Sequence, residues 1–112
     1  MSAATIVNIT INQKASFEIT VFVKDEGVAQ NLTGYTAVAK YKENYQTPDD
    51  QSMPFTTTIS NAANGEIKMA LSPEETTQLQ IQKYVYDLAI ISETGFKTRI
   101  MEGMITVSGG VS

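Results

Sequence analysis

Apolar and polar residues alternate along most of this chain in short runs separated by turn residues, the two-residue period of half-buried β-strands. The longest such pattern is residues 84–107, YVYDLAIISETGFKTRIMEGMITV, two runs joined by Glu93-Thr94-Gly95. Tyr84, Tyr86, Leu88 and Ile90 share one face of the first run, and Val85, Asp87, Ala89 and Ile91 the other. This predicts a central hairpin, with Gly95 as the positive-φ residue closing a three-residue loop. In that register Leu88 pairs with Ile100 and Ile90 with Thr98 on the inner face. Farther along, Ile105 and Val107 must also face inward, although their parity is opposite to that of Ile100. A bulge is therefore required. It is expected at Glu102-Gly103, where Gly103 leaves room for the Tyr86 ring and the kink keeps Asp87 from facing Glu102.

The remaining elements follow the same logic. Val7, Ile9 and Ile11 alternate with Ile6, Asn8 and Thr10 in a first strand expected near a sheet edge. In SFEITVFV, residues 16–23, Phe17, Ile19, Val21 and Val23 form the core face; Asp25-Glu26-Gly27 is a turn. Residues 35–42, YTAVAKYK, put Tyr35, Ala37, Ala39 and Tyr41 inward, while Lys40 and Lys42 turn the other face to water. Residues 43–54, ENYQTPDDQSMP, are polar and hold two of the three prolines, predicting the longest and most mobile loop. FTTTIS and GEIKMAL, on either side of a turn at Asn61-Ala62-Ala63-Asn64-Gly65, predict a second hairpin. Ser72-Pro73-Glu74-Glu75 combines a cap, a proline at the first helical position and a capping-box glutamate. With only Leu79 and Ile81 apolar after it, this predicts one short helical turn bridging two sheets. The sum is about seven short strands in one domain spanning 1–112, with a flexible tail at 108–112. The expected fold is an all-β, immunoglobulin-like antiparallel sandwich, with a small barrel as the alternative.

Composition removes more functions than it suggests. The chain has 112 residues, no cysteine and no histidine, so thiolate zinc sites, disulfides and the usual nucleophile–base pairs are unavailable. Eight basic against twelve acidic residues give a net charge of -4 without long runs of either sign, which disfavours nucleic acid as a partner. No segment approaches the roughly 18 consecutive apolar residues of a membrane span. The first residues, MSAATIVNITINQ, lack the charged start and apolar run of a signal peptide, so an untrimmed start at Met1 and a cytoplasmic site of synthesis and residence are expected.

Candidate chemistry is sparse: no catalytic residue, cofactor site or metal site is expected. Asp87 is read as an outward residue paired with a cation across the hairpin, the register making Arg99 its diagonal neighbour. Asp49-Asp50 with Glu43, and Asp25-Glu26, lack the alternating ligands of a high-affinity calcium loop and are read as solvated charge. Tyr35 and Tyr41 belong to the core. Tyr45, in the long loop, and Phe22, on an otherwise polar strand face, are candidate partner contacts, joined by Ile6, Asn8 and Thr10 of the first strand. Tyr84, Tyr86, Gly95 and Gly103 are expected to be structural.

The order of several segments resembles the small immunoglobulin-like domains of tailed-phage virion proteins, at the N-termini of baseplate and tail-fibre proteins and in cyanophage-type structural proteins. These segments are Asn31-Leu32-Thr33-Gly34-Tyr35-Thr36-Ala37, Asn64-Gly65-Glu66-Ile67, Leu71-Ser72-Pro73-Glu74-Glu75-Thr76, Tyr84-Val85-Tyr86-Asp87-Leu88 and Arg99-Ile100-Met101-Glu102-Gly103-Met104-Ile105-Thr106-Val107. Where such domains often carry glycine before the tyrosine strand, this chain has Ile81-Gln82-Lys83. The resemblance implies a non-enzymatic structural or assembly protein of the virion, present in the host cytoplasm during assembly. Its implied partners are other virion proteins or copies of itself. A receptor- or carbohydrate-binding module of a tail fibre or surface protein is the alternative, using Tyr45 and its loop; a small hydrolase would have only carboxylates and hydroxyls to work with.

Overall fold

The computed structural model describes residues 4–110. Its strands are β1 (Thr5–Ile6), β2 (Ile9–Asn12), β3 (Phe17–Phe22), β4 (Lys24–Asp25), β5 (Val28–Ala29), β6 (Thr36–Lys42), β7 (Met53–Pro54), β8 (Thr56–Asn61), β9 (Glu66–Leu71), β10 (Lys83–Ile91) and β11 (Lys97–Ser108). Seven of these have four or more residues, and the one α-helix, α1, spans Pro73–Thr77. One sheet runs β1-β11-β10-β6-β7, with β2 also on β11; the other is β3-β9-β8, and β4 and β5 form a small separate hairpin. The protein is an all-β sandwich. Its pairing is antiparallel except along one edge, where β1 and β2 both run parallel to β11.

The core lies between the sheets and follows the alternation. Ile11, Ala39, Tyr41, Tyr84, Tyr86, Leu88, Ile90, Met101, Ile105 and Val107 come from one sheet, and Ile67, Met69 and Leu71 from the facing strand β9. Full burial of each large side chain contributes about 1.5–3 kcal/mol. The phenyl ring of Phe55, between β7 and β8, packs edge-on against Tyr41 and Tyr86, at centroid distances of 5.2 and 6.3 Å. Edge-to-face contact suits the quadrupoles of the rings. The helix forms as its capping sequence demands: Ser72 Oγ accepts from the Glu75 amide at 3.2 Å, and Glu75 Oε1 accepts from the Ser72 amide at 2.8 Å. It carries the chain from β9 across to β10. There the Tyr84 hydroxyl accepts from the backbone N–H of Gln80 at 3.0 Å, which pins the crossing. Thr76, fully buried, places Oγ1 2.9 Å from the Ala15 carbonyl and ties the helix to the turn before β3.

The 84–107 hairpin forms with Ile90 opposite Thr98 and Gly95 at φ 89° in the loop. The Gly95 amide donates to the Ser92 carbonyl at 2.9 Å and the Ser92 amide to the Phe96 carbonyl at 3.0 Å, closing the three-residue turn. The bulge, however, lies nearer the tip than Glu102-Gly103. Leu88 pairs with Met101 and Ala89 with Arg99, so Ile100 is the extra residue. Beyond it Met101, Gly103, Ile105 and Val107 face inward and are buried. Asp87 does face Glu102, and Arg99 accommodates the two carboxylates.

Gly103 also has a different neighbour from the one expected. A side chain there would strike the backbone of Val7, its Cβ only 2.1 Å from the Val7 carbonyl oxygen, rather than the Tyr86 ring. The pairing of the N-terminal segment with β11 keeps one register but lapses at Val7-Asn8. The Val7 carbonyl turns over Gly103 to accept from the Tyr86 hydroxyl at 2.5 Å, while Asn8 Oδ1 accepts from the Met104 amide at 3.1 Å in place of a backbone carbonyl. At the far end β11 continues through Ser108, opposite Asn12, into the segment expected to be a tail. The rest of that segment includes Val111 and Ser112, which lie outside the described residues.

Burial pushes the Tyr86 hydroxyl up to about 12, and that of Tyr41 upward by burial first and then by Tyr84 and Glu75. An unfolded tyrosine ionises near ~10. Because the folded value is the higher one, this contribution to stability is complete below about pH 10 and disappears as pH rises towards about 12. Tyr86→Phe is expected to remove the latest phenolate step in an absorbance titration at alkaline pH and to lower stability by about 1 kcal/mol, the typical net worth of a hydrogen bond. Gly103→Ala is expected to cost about 2–3 kcal/mol in denaturant unfolding and to speed hydrogen exchange at the Val7 amide, because the alanine must displace backbone.

Candidate functional site

Two surface depressions bring together residues of different elements. The larger is a cleft of about 420 Å³ on the outer face of the β6-β10-β11 sheet, lined by Val38, Lys40, Lys42, Val85, Asp87, Lys97, Arg99 and Glu102 and by Tyr45, Asp49 and Ser52 of the loop above. Strand alternation puts these side chains outward, opposite the core residues of the same strands. The Ile100 bulge adds a second effect. Residues three apart in a regular strand point to opposite faces, yet the extra residue sets Arg99 and Glu102 on the same one.

Electrostatically the cleft has two halves. Arg99 Nε lies 3.3 Å from Asp87 Oδ2, and its Nη1 lies 3.3 Å from Glu102 Oε1. The outward Asp87 thus meets the cation anticipated from the register. All three side chains are partly solvated, so each pair contributes at most about 1 kcal/mol. In the other half Lys42 Nζ donates to the Thr47 carbonyl and to Asp49 Oδ1, both at 3.0 Å. The Lys42 side chain is largely covered, with 20% exposure, whereas that of Asp49 is 99% exposed. The hydrogen bond and charge of Lys42 hold the Asp49 carboxyl below its ordinary value, with smaller pulls from Lys40 and Lys97.

The loop at 43–54 therefore has internal order. It contains a 3₁₀ turn at Asp49–Gln51, fastened where Ser52 Oγ donates to the Asp49 carbonyl at 2.7 Å, and it ends in β7, which pairs with Lys40 and Tyr41. Among the described residues, no three acidic side chains converge as a metal site would require. Asp49 is instead engaged by lysine.

The smaller depression, of about 250 Å³, opens between β1 and the end of β3 and is lined by Val7, Val21, Phe22, Val23, Ile100 and Met101 among others. Of the candidate contact residues, Phe22 is 57% exposed on this groove, Ile6 is 73% exposed on β1, and Tyr45 is 67% exposed beside the charged cleft. The set does not form one patch. Thr10 is exposed on β2, and the side-chain oxygen of Asn8 is occupied by the Met104 amide. Sequence reasoning identified Tyr45 and Lys40 separately but missed the cleft they share with Lys97, since only the pairing of β6 with β10 and of β10 with β11 brings their strands onto one face.

No protein-family model and no curated protein sequence matches the chain. In structure it is similar to the N-terminal domain of phage TP901-1 ORF48, with a TM-score of 0.61 at 9% identity, covering 96% of this chain and 99% of that one. It also aligns with the Listeria monocytogenes internalin-like protein lmo2027, at a TM-score of 0.47 and 16% identity, over 94% of this chain and 28% of that one. At that level of identity the phage domain shares the fold.

Replacing Lys42 by glutamine is expected to raise the titration midpoint of Asp49 towards the ordinary aspartate value near ~3.9, read from its carboxyl carbon by NMR. An unchanged midpoint would mean that Lys42 does not hold the loop in solution.

Proposed function

We propose that this chain is a non-enzymatic structural or assembly domain of a tailed-phage virion, in the tail or baseplate, acting through protein–protein contacts. Its immunoglobulin-like strand order, its place in the particle and its presence in the host cytoplasm during assembly belong to the same proposal. The observation that carries it is the near-complete mutual coverage with the phage ORF48 domain, 96% of one chain against 99% of the other. The fold is shared over nearly the full length of both domains.

The surface supports a contact role. Ile6, Phe22, Val28 and Phe96 are large apolar side chains, all more than half exposed. They lie on β1, β3, β5 and the β10–β11 turn, so each is a separate candidate contact. The edge formed by β1 and β2 offers main-chain groups to a neighbouring strand, with Ile6 and Thr10 pointing outward beside it. Partners are other virion proteins or further copies of this chain.

Mass spectrometry of purified particles of the phage that encodes the chain is expected to find it in multiple copies. Its absence from particles that infect normally would overturn the proposal.

A further inference from the structure

Charge is unevenly distributed over the surface. Lys40, Lys42, Lys97 and Arg99, half of the eight basic residues, line the outer-face cleft, together with only three of the twelve acidic residues. The remaining surface holds nine acids against four bases, so the cleft reverses the sign of the protein around it. Within the cleft the Arg99 trio carries one net negative charge. Lys40, Lys42 and Lys97 set three positive charges against one further carboxylate, Asp49, and are spread along the face, Lys42 beside Val85, Lys40 beside Asp87 and Lys97 beside Ile91. Lys42 is already committed to that carboxylate. Lys40 and Lys97 form no ion pair among the described residues.

The loop itself already sets one carboxylate on this face. Asp49 is brought over the sheet by the 43–54 loop, and the hydrogen bond and charge of Lys42 favour its ionised form. A second carboxylate would meet two ammonium groups still hydrated and unpaired. Val38 and Val85 also line the cleft, on either side of the Lys40–Asp87 row, as does Tyr45 from the loop. A face on which the basic residues are spread over rows from Val85 to Ile91 suits a chain segment better than a compact small molecule. Small-molecule sites enclose most of the ligand surface.

We propose that this cleft docks an acidic, extended segment of a partner protein, with carboxylates reaching Lys40 and Lys97 on either side of the Arg99 ion pairs. The proposal deepens the reading of the chain as a protein-contact module.

The test uses the purified chain and a blocked tetraglutamate peptide, followed by amide NMR shifts at 20 and 200 mM salt. Saturable shifts are expected at residues 38–42, 45–52, 85 and 97–99, with affinity falling about threefold or more at the higher salt as charges are screened. The double variant Lys40→Glu, Lys97→Glu is expected to lose at least about tenfold in affinity while keeping the NMR fingerprint of the fold, since both side chains are exposed. The proposal is overturned if no saturable shift occurs, if blocked tetraglutamine gives the same response, or if the shifts map elsewhere. It is equally overturned if glutarate reproduces them at the same concentration, which would make the cleft a small-anion site. Peptide binding is measured on the isolated chain and particle content on virions, so failure of one is distinguishable from failure of the other.

Discussion

The two-residue period of a strand allows no change of inward parity without an inserted residue, and β11 needs such a change. Near the hairpin tip its even-numbered residues, Thr98 and Ile100, turn towards the core; by Met101 the odd-numbered ones do. One extra residue, Ile100, makes the exchange. Much of the molecule depends on it. Inside, it lets Ile105 and Val107 close the core and sets Gly103 opposite Tyr86. Outside, it places Arg99 and Glu102 on one face around Asp87, forming one wall of the charged cleft.

Gly103 then determines how the N-terminal segment is attached. With no side chain there, the Val7 peptide lies against β11, and its carbonyl meets the Tyr86 hydroxyl. The parallel edge formed by β1 and β2 is thus fastened where ladder pairing lapses, with the Val7 amide still donating to the Glu102 carbonyl at 2.8 Å. Asn8 supplies the missing acceptor for Met104. Tyr86 serves the core with its ring and the edge strand with its hydroxyl. Both demands explain why a tyrosine rather than a phenylalanine suits this position.

The outer face of the same sheet shows a second use of the strands. Their core-facing residues are apolar and their outward residues include Lys40, Lys42, Asp87, Lys97, Arg99 and Glu102, so the sheet that stabilises the sandwich also gathers half of the basic residues on one surface. A loop fastened by Lys42 covers part of that surface and leaves Tyr45 exposed. For the contact role proposed above, a rigid face bearing a charged cleft is a physical basis for specificity.

Local rules were enough for much of this fold. Alternation assigned the inward faces of the long strands, the Ser72 box located the helix, and Gly95 marked the hairpin loop, because each depends on residues within a few positions of one another. Parity also required a bulge. It could not place the bulge, because any insertion between Thr98 and Ile105 satisfies the same inward pattern, and packing against β10 and β1 selects among them. Burial of Thr76 beneath the turn at Ala15, the seating of Val7 over Gly103 and the convergence of Lys40, Lys97 and Asp49 involve residues tens of positions apart. Such contacts are decided by which strands become neighbours, a property of the whole sandwich that no single segment carries.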